Sequence, residues 1–91
     1  MSTYAPTAER ILRVVTQVTG SDDVRGYPDI QLFSTGIVDS LATVSLMLAF
    51  EEEFGISISP AEFDRDAWAT PRLLVADIER RIAGGRNQVE R

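Results

Sequence analysis

In three long stretches of the chain, apolar residues recur at steps of three and four, and this spacing points to an all-α fold. In the first stretch, from about Thr7 to Thr19, Ile11, Leu12, Val14, Val15 and Val18 share a face, with Thr7 expected as the N-cap and Gly20 as the stop. The second runs from Ser40 to Phe54, with Asp39 as the N-cap and Gly55 ending it. The last begins at Thr70-Pro71, a cap followed by a proline suited to the first helical position, and continues to about Ala83, where Gly84-Gly85 should close it. Its face is Leu74, Ile78 and Ile82, with Leu73 and Val75 beside it. Between these, Ser59-Pro60-Ala61-Glu62 has the form of a capping box, so a short helix is expected there, ending between Asp64 and Trp68. Ile56 and Ile58 alternate over too few residues to make a strand. The expectation is a four-helix bundle of three long helices and one short one.

A chain of 91 residues suits one domain, taken as residues 1–91, with a core over about 7–84 and a flexible tail at 85–91. The connection from Ser21 to Val38 is long and carries Gly26, Pro28 and Gly36. Loops of that length are usually functional or held down by their own side chains, and Ile30, Leu32 and Phe33 are the residues expected to pin this one.

Composition removes several classes of function. There is no cysteine, histidine or lysine. Thiolate chemistry, a Ser–His pair and a lysine base are therefore excluded. Any metal site would have to be all-oxygen, and neither Asp22-Asp23 nor Asp64-Arg65-Asp66 extends into a calcium loop; no metal site is expected. The longest apolar run, Leu46 to Phe50, is far short of a membrane span, and the first residues lack a signal-peptide pattern. No membrane insertion is expected, and the cytoplasm is the default location. Residues 22–66 hold ten acids against Arg25 and Arg65, a net of −8, whereas the flanks together carry +3. Such a middle argues against nucleic acid; it suits basic protein partners, or serves only solubility. The absence of lysine has no functional reading.

The second helix is apolar on two sides. Thr43, Leu46, Met47, Phe50 and Phe54 form a stripe for the core. Leu41, Val44 and Leu48 form another, flanked by the small residues Ala42, Ser45 and Ala49. Neighbouring elements could bury both, but few are available in so small a bundle, and the second stripe reads as a partner surface. Glu51, Glu52 and Glu53 oppose the helix dipole, so they either solvate the helix end or meet basic partners. At the other end, Gly36-Ile37-Val38-Asp39-Ser40-Leu41 puts a serine in the first turn. Ordinary capping by Asp39 or Ser40 would explain it. So would a phosphate ester on Ser40, which would face open backbone N–H groups and the positive end of the dipole. Such an ester needs no internal base if a separate enzyme attaches it.

Taken together, Leu32-Phe33, Gly36, Asp39-Ser40-Leu41 and Phe50-Glu51-Glu52-Glu53-Phe54-Gly55-Ile56 resemble the acyl and peptidyl carrier protein family over roughly residues 8–83. The resemblance implies a four-helix bundle in which Ser40 receives 4′-phosphopantetheine from coenzyme A, and the arm's thiol then carries cargo as a thioester. It also implies a recognition surface of Asp39, Leu41, Ala42, Val44, Ser45, Leu48, Glu51 and Glu52. The implied partners are a phosphopantetheinyl transferase, an adenylating aminoacyl or acyl ligase and a downstream acyltransferase. The chain itself would be a non-catalytic, free-standing monomer.

Phe63-Asp64-Arg65-Asp66-Ala67-Trp68-Ala69-Thr70-Pro71 resembles the matching segment of D-alanyl carrier proteins, although Trp68 also reads simply as a core aromatic. Fatty-acid carriers usually bear acids where this chain has Ala42 and Ser45, which favours an aminoacyl carrier. The arginine-only, alanine-rich composition tilts the expectation towards natural-product assembly of the macrolactam type, with D-alanylation of cell-wall polymers as the alternative. More remote are a helical adaptor without a prosthetic group and, last, a small enzyme.

Overall fold

The computed structural model describes the backbone of residues 6–89, and their side chains except at 6, 62 and 85–89. Four α-helices follow in order: α1 (Pro6–Thr19), α2 (Asp23–Gly26), α3 (Ser40–Phe54) and α4 (Pro71–Val89), with 3₁₀ turns at Pro60–Glu62 and Arg65–Trp68. The fold is the expected all-α bundle. Helix α1 packs against α2, α3 and α4, and α4 also packs against the second 3₁₀ turn. The three helical faces read from the sequence meet in one core of Ile11, Val15, Leu46, Phe50, Leu74 and Ile78, each at most 1% exposed.

Several boundaries differ from expectation. Helix α1 already includes Pro6, so Thr7 lies within its first turn rather than at the N-cap. A proline's fixed φ suits the first helical position, and Pro71 takes that position in α4. There, as expected, Thr70 is the cap: its hydroxyl accepts the Leu73 N–H at 3.2 Å. The connection after α1 is not all loop. Val24 in the short α2 is buried, together with Leu32 and Val38, while Ile30 and Phe33 pack on the core from its edge. Backbone bonds fasten the connection to the far side of the chain: Leu32 N–H donates to Ala69 C=O at 2.8 Å, and Arg72 N–H to Pro28 C=O at 3.0 Å.

The expected short helix after Ser59 is instead the two 3₁₀ turns, and Ser59 makes no side-chain cap. Phe63 and Asp64 between the turns are extended. The break has a packing reason. Five residues along a continuous helix would point Phe63 and Trp68 to different sides. Here the two rings meet edge-on with centroids 4.7 Å apart, and Trp68, fully buried, also meets Phe50 at 5.7 Å. Helix α4 does not stop at Gly84-Gly85 but continues to Val89. A glycine inside a helix weakens it without forbidding it. Of the expected tail, residues 90 and 91 lie outside the described residues.

Candidate functional site

The approach to α3 decides which side chain is left available at its start. Gly36 turns the chain with φ +81°, a conformation that favours glycine. Val38 is then buried, its N–H bonded to the Leu32 carbonyl at 3.0 Å. This fixes Asp39 as the N-cap in extended backbone, its side chain accepting the Ala42 N–H at 2.8 Å. The Asp39 carbonyl accepts both the N–H and the hydroxyl of Thr43, each at 2.8 Å. Capping is thus the work of Asp39, as the sequence suggests.

Ser40 is spared that work. It is exposed, and among the described residues its hydroxyl has no hydrogen-bond partner. The N–H groups of Ser40 and Leu41 likewise have no acceptor there. A hydroxyl beside unsatisfied donors and the positive end of a 15-residue helix fits a covalently held phosphodiester, which needs donors and a favourable potential rather than a base. Ser40 also lines an open cleft of about 450 Å³ with Phe33, Gly36, Val38, Asp39, Thr43, Phe63 and Arg65.

Along α3 the two stripes separate. Thr43, Leu46, Met47 and Phe50 are buried. Leu41, Val44 and Leu48 are 76%, 52% and 60% exposed, and Ala42, Ser45 and Ala49 are half-buried between the two faces. Among the described residues, no neighbouring element covers the second stripe.

The three glutamates at the end of α3 have separate roles. Glu51 accepts the Ile58 N–H at 2.8 Å, which holds the segment after the helix. Glu53 pairs with Arg10 at 2.8 Å and so ties the end of α3 to α1. Glu52 alone of the three is exposed with no side-chain partner among the described residues. The sequence does not distinguish them, because the groups that Glu51 and Glu53 meet lie elsewhere in the chain.

Two features were not anticipated. The Arg65 guanidinium sits over the Phe33 ring, 4.4 Å from its centroid, at the cleft that Ser40 lines. The available signal was the scarcity of cations in residues 22–66. The second feature is Asp77, 1% exposed on α4, which accepts the Trp68 indole N–H at 2.9 Å and bonds to Arg80 and Arg81. Burial pushes its carboxyl up, but the hydrogen bonds from Arg81 and Trp68 and the charges of both arginines outweigh that and hold it below the ordinary value. Its place under the bundle makes it structural. Among the described residues no cluster of acidic side chains could hold a metal ion, and no helix is long and apolar enough to cross a membrane.

Known proteins resemble this chain over most of the bundle. Residues 9–78 match the model of a family described as the phosphopantetheine attachment site. The chain is 41% identical over 71 residues to the D-alanyl carrier protein of Enterococcus faecalis, spanning 78% of this chain and 91% of that protein. It is 44% identical over 70 residues to the D-alanyl carrier protein of Bacillus licheniformis, spanning 77% and 90%. With that of Lacticaseibacillus casei it shares 42% over 69 residues, spanning 76% and 85%. A match over most of the bundle, joined to this identity, means that the chain belongs to the phosphopantetheine-attachment family, as a non-catalytic carrier domain for 4′-phosphopantetheine.

Proposed function

We propose that Ser40 is the attachment residue and that the cargo is D-alanine. The carrying observation is the exposed, unpartnered Ser40 hydroxyl in the first turn of α3, with Asp39 already occupied as the cap. In the transfer, Ser40 Oγ attacks the phosphorus of coenzyme A that bears the pantetheine. The pyrophosphate P–O bond breaks, adenosine bisphosphate leaves, and the hydroxyl proton passes to the transferase, since this chain offers no histidine or lysine to take it. Once attached, the arm supplies a thiol that holds cargo as a thioester.

The relatives' names support the D-alanyl reading over natural-product assembly, which rested on composition alone. The partners are then the phosphopantetheinyl transferase, an adenylating ligase that activates D-alanine, and an acyltransferase that removes it. The exposed stripe of Leu41, Val44 and Leu48, with Ala42 and Ser45 low beside it, supports the view that these enzymes grip α3. Asp39 and Glu52 would add charge at its two ends, and Glu51 the part of its carboxylate left over from Ile58. The protein acts as a monomer in the cytoplasm.

The test is intact mass. Apo protein with coenzyme A and a broad-specificity transferase gains one phosphopantetheine, and Ser40→Ala gains none. No gain in the unaltered chain would end the carrier reading and leave the adaptor. The holo protein, given ATP, D-alanine and the ligase of one of the named relatives, gains one alanyl group. Protein isolated from its own host bearing a different amino acid would return the natural-product reading.

A further inference from the structure

Arg65 occupies an unusual electrostatic position. It lies on the second 3₁₀ turn, in the part of the chain where ten acids face two arginines. The other of the two, Arg25, is paired with Glu9 at 3.2 Å. The Arg65 side chain has no carboxylate partner and no hydrogen bond among the described residues, even though Asp64 and Asp66 flank it. Its guanidinium instead lies over the Phe33 ring. An arginine seated on an aromatic ring is held in place while its N–H donors remain available.

The cleft that Arg65 lines has a specific composition. Phe33 and Phe63 line it together with Ser40, Asp39 and Arg65. A phosphodiester on Ser40 would bring a second negative charge next to Asp39, in an already acidic half of the molecule. Among the described residues, Arg65 is the one cation lining that cleft. Beside the phosphate, the arm carries a carbon with two geminal methyl groups, an apolar unit that fits against phenyl walls.

We propose that Arg65, seated on Phe33, is a positioning residue that draws the phosphodiester of the Ser40-linked arm into this cleft, with Phe33 and Phe63 as apolar walls for its geminal methyls. The proposal rests on the carrier reading and deepens it: the first segment of the arm is docked on the protein, and only the thiol end ranges freely.

The test compares amide spectra of ¹⁵N-labelled apo and holo protein. Attachment shifts the signals next to Ser40 wherever the arm lies. Docking adds shifts at Phe33, Gly36, Phe63 and Arg65, and raising the salt concentration diminishes them. In Arg65→Gln this second set falls about two- to five-fold, the range for an exposed charge-assisted contact, while the shifts beside Ser40 persist. Arg65→Lys restores part of it. Phe33→Leu, which keeps the site apolar but removes the ring, also weakens it. Shifts confined to the neighbours of Ser40 in the unaltered holo protein, or a second set unchanged in Arg65→Gln, would overturn the docking. Failure to gain the arm's mass would instead overturn the carrier reading, so the two failures are distinct.

Discussion

The Trp68 indole N–H donates to Asp77 Oδ2 at 2.9 Å, joining the second 3₁₀ turn to α4 beneath the core. Both side chains are buried, and Arg80 and Arg81 supply the charge that keeps the Asp77 carboxylate ionised there. Removing one member of such a group leaves the others without their partner. Asp77→Ala should cost about 3 kcal/mol in urea unfolding. Trp68→Phe should cost about 1–3 kcal/mol through the orphaned acceptor and lost volume.

Acid unfolding should report the same carboxylate. Asp77 titrates below its ordinary value of 3.8 in the folded protein. Its stabilisation is therefore complete above that value and is lost as the pH falls through the lower folded one. Stability measured between about pH 5 and pH 2 should fall less steeply in Asp77→Asn than in the unaltered chain. Asp29, also lowered by its bond from Arg72, lies on the surface, and Asp29→Asn should leave this slope nearly unchanged.

The two faces of α3 should separate stability from partner recognition. Leu46→Ala, at a fully buried position, should cost about 2–5 kcal/mol. Val44→Asp and Leu48→Asp should stay within about 0.5 kcal/mol of the parent in urea, yet slow arm attachment or ligase loading about ten-fold or more. Loss of stability in the second pair would show that the stripe is packed in solution and is no docking surface.

Asp39 can be tested apart from Ser40. Asp39→Ala should cost about 1 kcal/mol by releasing the Ala42 N–H, whereas Asp39→Asn keeps an acceptor and most of the stability. Ser40→Ala, at an exposed position without a partner, should unfold with the parent to within about 0.5 kcal/mol.

Gly55 and Gly84 should respond in opposite directions to alanine. A Cβ at either meets nothing within 4 Å, so backbone preference alone decides the sign. At Gly55, with φ +65°, alanine should cost about 1 kcal/mol. At Gly84, inside α4, it should stabilise by roughly 0.5–1 kcal/mol. A destabilised Gly84→Ala would mean that the helix ends there.

What the sequence revealed and what it hid divide along the range of the interactions involved. The three long helices, the cap at Asp39 and the two faces of α3 are set by residues within a turn or two of one another, and all are legible as spacing. Helix α2 is four residues long, too short for any period to show, and only the burial of Val24 explains it. The helix expected at residues 60–68 gave way because Phe63 and Trp68 must reach the same part of the core. Glu53 with Arg10, and Phe33 with Arg65, are partners across distant stretches of chain, so neither pairing could be read from local pattern. Of the candidate site, Ser40 and the apolar stripe of α3 are legible in the sequence, whereas the cleft is not, because two distant stretches, residues 33–43 and 63–65, build it.

The uncovered strip of Leu41, Val44 and Leu48 is one helix wide. If each enzyme that services the arm grips that strip, two of them cannot hold the protein at once. Delivery becomes a queue, in which every client must let go before the next can begin. Tight binding by any one of them would then stall the line, so the throughput of such a shuttle depends on weak, short-lived embraces.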